Sequence, residues 1–208
     1  MPTKPLRRKA KQDRAMETID IILTAAAQVL ETEGSHATTT NKIADRAGVS
    51  VGSIYQYFDN KQEIFGKLLE REKKRMVDEL TNFNVIPSRS FEQNLAAYLT
   101  IGGGNVNLNP ELFRQLERID GLEAALEDLN QLVTQSVADF LRSFCPKCSN
   151  AQIKRMARMI VLSAEGLGHR SSRGDLDAGM LAEYIQMITA YVKVSRAKSE
   201  PRSKVSLT

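Results

Sequence analysis

Apolar residues recur at three- and four-residue steps through most of the chain, a period that predicts helices. Ile19, Ile22, Leu23, Ala26 and Leu30 fall on one face of a first helix, and Gly34 follows where a left-handed residue is wanted. Thr38-Thr39-Thr40 offers hydroxyls for an N-cap, and a short helix runs to Ala47. Gly48 breaks that helix and Ser50 caps the next short one. Asp59 or Asn60 caps a long segment beginning near Lys61, with Phe65, Leu68, Leu69, Met76 and Leu80 along its apolar side.

Longer helices follow. Ser90 and Gln93 form a capping box for a helix through Leu95, Tyr98 and Leu99, ended by Gly102-Gly103-Gly104. Asn109-Pro110 is a start signal and Gly121 the matching stop. Leu122, Leu126, Leu129, Val133, Val137, Phe140 and Phe144 trace the next helix. Asn150 opens one through Ile153, Met156, Ala157, Ile160, Ala164 and Leu167, and Asp177 opens the last, through Leu181, Tyr184, Ile188, Tyr191 and Val192. No segment carries a strand pattern and none repeats. The predicted fold is all-α with about nine helices, a three-helix head and a larger helical bundle. The predicted divisions are an arm over 1–14, a head over 15–60, a bundle over 61–197 and a disordered polar tail over 198–208.

Composition adds little to this outline, but charge placement adds more. The 208 residues are 42% hydrophobic and 26% charged, enough to bury a real core. Every apolar run is interrupted by charge before it reaches membrane-spanning length. The basic start has no apolar core behind it, so it is not a secretory signal, and a cytoplasmic protein is expected. Residues 1–14 hold Lys4, Arg7, Arg8, Lys9, Lys11 and Arg14 against Asp13, a net +5, so the chain's excess positive charge is concentrated in that flexible arm and the remaining residues sum to about −1. Such an arm is either a solvated tail or a segment that meets phosphate. Cys145-Pro146-Lys147-Cys148 has the spacing of half a zinc site or a redox pair. It lacks a second cysteine pair, and His36 and His169 are far away in sequence, so it reads as a loop between helices.

The stretch from Thr40 to Asp59, TNKIADRAGVSVGSIYQYFD, holds what two short, steeply crossing helices require. Ala44 is the small residue at the crossing, and Gly48 follows four residues later as a turn tolerant of positive φ. Ile43, Ala47, Val49, Ile54 and Phe58 are apolar anchors on both helices. Together these describe a helix-turn-helix. The run TTTNKIADRAGVSVGSIYQYFDNKQEIFGKLL resembles the N-terminal domain of the TetR family of transcriptional regulators, over about residues 15–70. The remaining bundle is similar to that family in architecture only.

The resemblance implies a homodimer of nine or ten helices per subunit, each with a DNA-binding head and a domain for a small-molecule effector. Position by position, Thr40 opens the second helix and touches a phosphate, with Thr39 beside it as a second candidate. Ser50, Val51, Gly52 and Ser53 begin the recognition helix, where Gly52 lets the backbone approach the duplex. Tyr55 and Tyr57 match aromatics that contact phosphate, and Lys61 matches a lysine at the start of the fourth helix. Gln56 is the expected base reader, since glutamine pairs bidentately with adenine for about 1–3 kcal/mol of discrimination. Ala44, Gly48, Ile54 and Phe58 build the motif. Tyr57 shares a face with Ile54 and can be partly core, and Thr39 can serve as a cap alone. Nothing from Ser50 to Phe58 is charged, so attraction to phosphate is expected from the arm, Lys42, Arg46 and Lys61.

In the bundle, Met159, Leu162 and Met187 lie off the main apolar faces of the last two helices. A helix apolar on two sides packs on two sides, which points to an isologous dimer. An effector pocket is expected between the fifth and eighth helices, with Tyr98, Phe113 and Glu117 as candidates. The glycine run at 102–104 lacks the preceding strand and following lysine of a phosphate cradle. No nucleophile–base pair or metal-ligand set supports an enzyme, and no cofactor is expected. A membrane-surface role for the arm lacks an amphipathic basic helix. The expected function is repression at a double-stranded DNA operator, relieved by a small molecule.

Overall fold

The computed structural model describes residues 4–103, 110–171 and 178–198. Among these the regular elements are α1 (Lys4–Glu33), α2 (Thr40–Ala47), α3 (Val51–Ile54), α4 (Lys61–Asn82), α5 (Phe91–Gly103), α6 (Pro110–Leu116), α7 (Glu123–Phe144), α8 (Asn150–Ser171) and α9 (Ala178–Ala197). The chain divides into two compact units. Met1–Lys73 with Glu111–Ala125 makes the first, and Lys74–Pro110 with Leu126–Thr208 the second. The division passes through α4 and α7, so each of those helices contributes to both units.

In the first unit, α1 begins at Lys4, so residues 4–14, expected as a flexible arm, form its opening turns. Lys, Arg, Gln and Ala are good helix formers, and Pro5 falls in the first turn, where its missing N–H removes no helical bond. The helix closes at Gly34, whose φ of 81° lets its N–H reach the Leu30 carbonyl at 3.0 Å. The turn after it is held by a residue eighty positions away. The buried Gln115 side chain accepts the Ser35 N–H at 2.9 Å and donates to Glu111 at 2.6 Å. Arg114 hydrogen-bonds the same Glu111 carboxylate and holds its pKa below the usual carboxylate range. A second pin joins α4 to α1. Arg71 donates to Asp20 at 2.9 Å and Thr24 at 3.0 Å, and pairs with the buried Glu72 at 2.9 Å. Beneath these, Ile22, Leu30, Ile43, Ile54, Ile64, Phe65, Leu68 and Leu69 are fully buried.

The core of the second unit joins Leu95 and Tyr98 of α5 to Val137, Phe140 and Leu141 of α7, with Ile153, Met156 and Ile160 of α8 and Tyr184, Ile188 and Val192 of α9. Ser90 and Gln93 do form a reciprocal box, at 3.1 and 2.9 Å. Asn94, fully buried, fastens the connection ahead of α5. Its amide accepts the Ile86 N–H and donates to the carbonyls of Ile86, Arg89 and Ser90.

Some boundaries differ from the sequence expectation. α6 ends at Leu116, and the chain continues through hydrogen-bonded turns before Gly121, at φ 88°, redirects it. Asn60, rather than Asp59, caps α4 by accepting the Glu63 N–H at 2.9 Å. Ser149 caps α8 by accepting the Gln152 N–H at 3.3 Å. Gly104, Asn109, Asp177 and residues 199–208 lie outside the described residues.

Replacing Gln115 with leucine keeps most of the side-chain volume but takes the acceptor from the Ser35 N–H. The variant should lose about 1–3 kcal/mol of stability, the usual effect of stranding a buried donor. Urea unfolding with an unchanged m-value is the measurement, and a loss below half a kilocalorie, about the size of a neutral surface change, would show that this hydrogen bond does not hold the turn.

Candidate nucleic-acid interface

The helix-turn-helix is set by its termini. Thr39 takes an extended backbone, φ −125° and ψ 158°, and its hydroxyl accepts the Lys42 N–H at 3.3 Å as the N-cap of α2. A hydroxyl that accepts still has a proton to donate, so capping leaves Thr39 able to meet a phosphate oxygen. Thr38, fully buried, donates to the Gly34 carbonyl at 2.7 Å. At the other end of α2, Gly48 has φ 68° and its N–H reaches the Asp45 carbonyl, while the Val49 N–H reaches that of Ala44 at 3.1 Å. This pair of bonds is a Schellman closure, and its left-handed residue aims the chain into α3. Ala44 is buried at the crossing, as expected, and Ile54 and Phe58 anchor the other side.

Ser50 caps α3 by accepting the Ser53 N–H at 3.0 Å, and the two hydroxyls share a 2.7 Å hydrogen bond. The α-helix itself covers only Val51–Ile54, short as its sequence suggested. Tighter bonds carry the chain on, from the Gln56 N–H to the Ser53 carbonyl and from Tyr57 to Ile54. Gly52, Tyr55 and Gln56 are exposed, Val51, Ser53 and Tyr57 half-buried. Tyr57 is thus partly packed, as its spacing from Ile54 allowed, while Tyr55 is 54% exposed.

Lys61 reaches back from the first turn of α4 to donate to the Thr38 carbonyl at 2.9 Å, with its ammonium 5.6 Å from the centre of the Phe65 ring. The fold therefore brings Lys61 beside Thr39 and Thr40 at the start of α2, a cation next to exposed helical N–H groups. Two other expected cations have protein partners. Lys42 pairs with Glu33 and donates to the Ala37 carbonyl at 2.9 Å, and Arg46 donates through Nε to Gln28 at 2.8 Å. The sequence reading missed these partners because Glu33 and Gln28 lie on α1, and no local spacing pairs them with α2.

A family model described as "Bacterial regulatory proteins, tetR family" matches residues 22–68, and one described as "Tetracyclin repressor-like, C-terminal domain" matches residues 91–191. This chain belongs to the TetR family. That family is one of DNA-binding transcriptional regulators. The fatty acid metabolism regulator protein of Bacillus subtilis is 35% identical over 72 residues, 35% of this chain and 35% of that protein. The transcriptional activator FasR of Mycolicibacterium smegmatis is 41% identical over 56 residues, 27% of this chain and 26% of that protein. The chain thus spans about a third or less of the length of these two relatives. The fold extends further. A TetR-like regulator from Rhodococcus sp. RHA1 superposes with a TM-score of 0.65 at 22% identity, covering 85% of this chain and 96% of that one. The fatty acid degradation regulator FadR of Bacillus halodurans does so at 0.65 and 21%, covering 84% and 94%.

In the second unit of this TetR-family chain, a cleft of about 510 Å³ lies between α7 and the end of α4 with its following loop. Phe83, Tyr98 and Phe140 make its aromatic wall, with the Tyr98 and Phe140 rings stacked at 4.7 Å. Gln135, Ser136, Asp139 and Ser143 form a polar strip down α7, legible in the sequence only as polar positions between apolar ones. Of the three expected pocket residues, Tyr98 lines the cleft. Phe113 and Glu117 belong to the first unit and are not among its lining residues. Among the described residues no three His, Cys, Asp or Glu side chains are grouped to hold a metal, and no helix is long and apolar enough to cross a membrane.

The Tyr98 hydroxyl, hydrogen-bonded to Ser136 at 2.8 Å, is pushed up to about 12 from 10.0 by burial, with Asp139 adding in the same direction. A raised folded-state value means that the associated stability is whole below the unfolded value of 10.0 and is lost as pH rises towards 12. Urea midpoints at about pH 9 and about pH 11 should therefore fall less with pH in Tyr98→Phe than in the parent protein. Tyr184, raised by its own burial, supplies a residual fall in both proteins. Equal falls would remove Tyr98 as a source of the alkaline loss.

Proposed function

We propose that the protein acts as a homodimeric cytoplasmic repressor, occupying a double-stranded DNA operator until a small-molecule effector binds the second unit. The observation that carries this reading is the grouping of Lys61 with the start of α2 in a head that also exposes the uncharged Gly52, Tyr55 and Gln56. In this reading Thr39, Thr40, Lys61 and the tyrosines Tyr55 and Tyr57 hold phosphates. Ser50, Val51, Gly52 and Ser53 bring the backbone against the duplex, and Gln56 reads a base. Lys42 supplies less than expected, because Glu33 offsets it. The basic residues at the start of α1 supply the sequence-independent attraction.

In this reading effector release works through geometry. Two heads must meet half-sites at fixed spacing, so a modest change in their separation costs affinity. α4 runs without a break from Lys61 to Asn82 and belongs to both units, which makes it the covalent strut between effector domain and head. A ligand that prefers one packing of the bundle then biases the heads through it. The aromatic and polar cleft is the proposed effector site.

Gly52 separates folding from function. A Cβ added there meets only the Ser50 hydroxyl, at 3.7 Å, so Gly52→Ala should fold with an unchanged or slightly raised Tm. Its affinity for duplex from the chain's own upstream region, under heparin competition, should fall at least tenfold, about 1.4 kcal/mol or more. Gln56→Ala should bind, but with preference at one base pair relaxed by about 1–3 kcal/mol. Undiminished binding by the first variant and unchanged discrimination by the second would remove α3 as the reading element.

Dimerisation is supported by apolar side chains left in water. Met159 and Leu162 on α8 and Met187 and Val194 on α9 are each more than half exposed. Where such side chains form one patch on a pair of helices, they mark an interaction surface. Sedimentation at micromolar concentration should give a dimer, and Met159→Glu with Met187→Glu a folded monomer with weakened operator binding. A monomeric parent protein would overturn the dimer.

A further inference from the structure

The Cys145-Pro146-Lys147-Cys148 run is not used by the DNA interface or the cleft wall. It follows α7 as a hydrogen-bonded turn, in which the Cys148 N–H donates to the Cys145 carbonyl at 3.1 Å. Pro146 stands at the second position of that turn, where its fixed φ is favoured. A β-turn holds its first and fourth Cα atoms within about 7 Å, and a disulfide spans about 4.4–6.8 Å, so the backbone already has a separation that a bridge tolerates. The side chains point to the same place. Cys145 is in the buried core of the second unit and Cys148, partly buried, packs against the same core.

We propose that Cys145 and Cys148 form a dithiol site that a hydroperoxide oxidises to an intramolecular disulfide. Cys148 is the entry point because it is the thiol a solute can reach. Its sulfur attacks one peroxide oxygen, the O–O bond breaks, an S–O bond forms, and the thiol proton leaves with the other oxygen as water or alcohol. The Cys145 sulfur then displaces the hydroxyl from Cys148, so that the S–S bond forms as the S–O bond breaks. The Cys145 proton leaves with that hydroxyl as water. Two thiols lose two electrons and the peroxide gains them. The order of attack agrees with the chemistry of Cys145, whose thiol is pushed up to about 11 by burial, reinforced by Cys148. Such a thiol is a poor first nucleophile but, held close by in the turn, a sufficient second one.

The same geometry disfavours a metal. Two thiols are half of a tetrahedral set, and among the described residues no group of three or more His, Cys, Asp or Glu completes it. Ser143, two residues before Cys145, lines the cleft, so the dithiol stands at the end of the cleft's α7 wall.

The test uses the reduced full-length protein and hydrogen peroxide. Intact mass should fall by two hydrogens, both cysteines should resist alkylation after denaturation, and dithiothreitol should restore both. Cys145→Ala, apolar to suit its buried site, should stop at a Cys148 sulfenic acid captured by dimedone. Cys148→Ser, at the partly buried position, should keep the native circular dichroism and react at least about tenfold more slowly with peroxide. The proposal is overturned if the denatured oxidised protein still alkylates at both cysteines. It is equally overturned if the bridge is between chains on a non-reducing gel, or if Cys148→Ser reacts as fast as the parent.

Discussion

The chain leaves α2 and enters α3 through one residue at positive φ, Gly48, and the shape of the head depends on that reversal. Two bonds close the end of α2 there, and the residues after them must place Ile54 and Phe58 under Ala44 for the motif to have a core. An L-residue with a side chain adopts that conformation only with strain, although open space surrounds the glycine. The constraint is therefore one of backbone, not of packing. From it follow the exposure of Gly52, Tyr55 and Gln56 on one side of α3 and the burial of Ile54 on the other.

Charge is distributed differently from shape. In the proposed reading the surface that meets base edges carries none, which suits reading by hydrogen bonds and close backbone approach. Three cations of the head, Lys61, Arg46 and Lys42, each have a protein partner. Lys61 is steered by the Thr38 carbonyl and Arg46 by Gln28, while Lys42 is answered by Glu33. These contacts fix side chains that would otherwise lose rotational freedom on meeting DNA.

Much of the fold was legible because its signals are local. Caps at Thr39, Ser50 and Ser90 bond within three residues of themselves, and the apolar period of α7, α8 and α9 needs no knowledge of partners. The helix-turn-helix was legible for the same reason, since Ala44, Gly48, Ile54 and Phe58 lie within fifteen consecutive positions. Long-range polar contacts were not. Gln115 on Ser35, Arg71 on Asp20 and Asn94 on its preceding loop depend on which side chains the folded chain brings together. The candidate pocket residues were not separable in the sequence for a related reason. Phe113 and Glu117 looked equivalent to Tyr98 as mixed apolar and polar positions, but the units to which they belong differ. At the start of α1 charge suggested an arm, whereas the helix begins at Lys4 among residues that are good helix formers.

The Gln115 contact bears on how such proteins can be recombined. The α1–α2 turn is completed by a side chain from α6, so the structural head is discontinuous in sequence, while the family model for it ends at residue 68. A chimera cut at that boundary would join one protein's turn to another protein's α6. Exchanging operator preference between relatives thus requires the segment around Glu111–Ala125 to travel with the head, as a second crossover. A substitution at Gln115 in α6 would correspondingly be felt at Gly34 and Ser35, although eighty positions of chain lie between them.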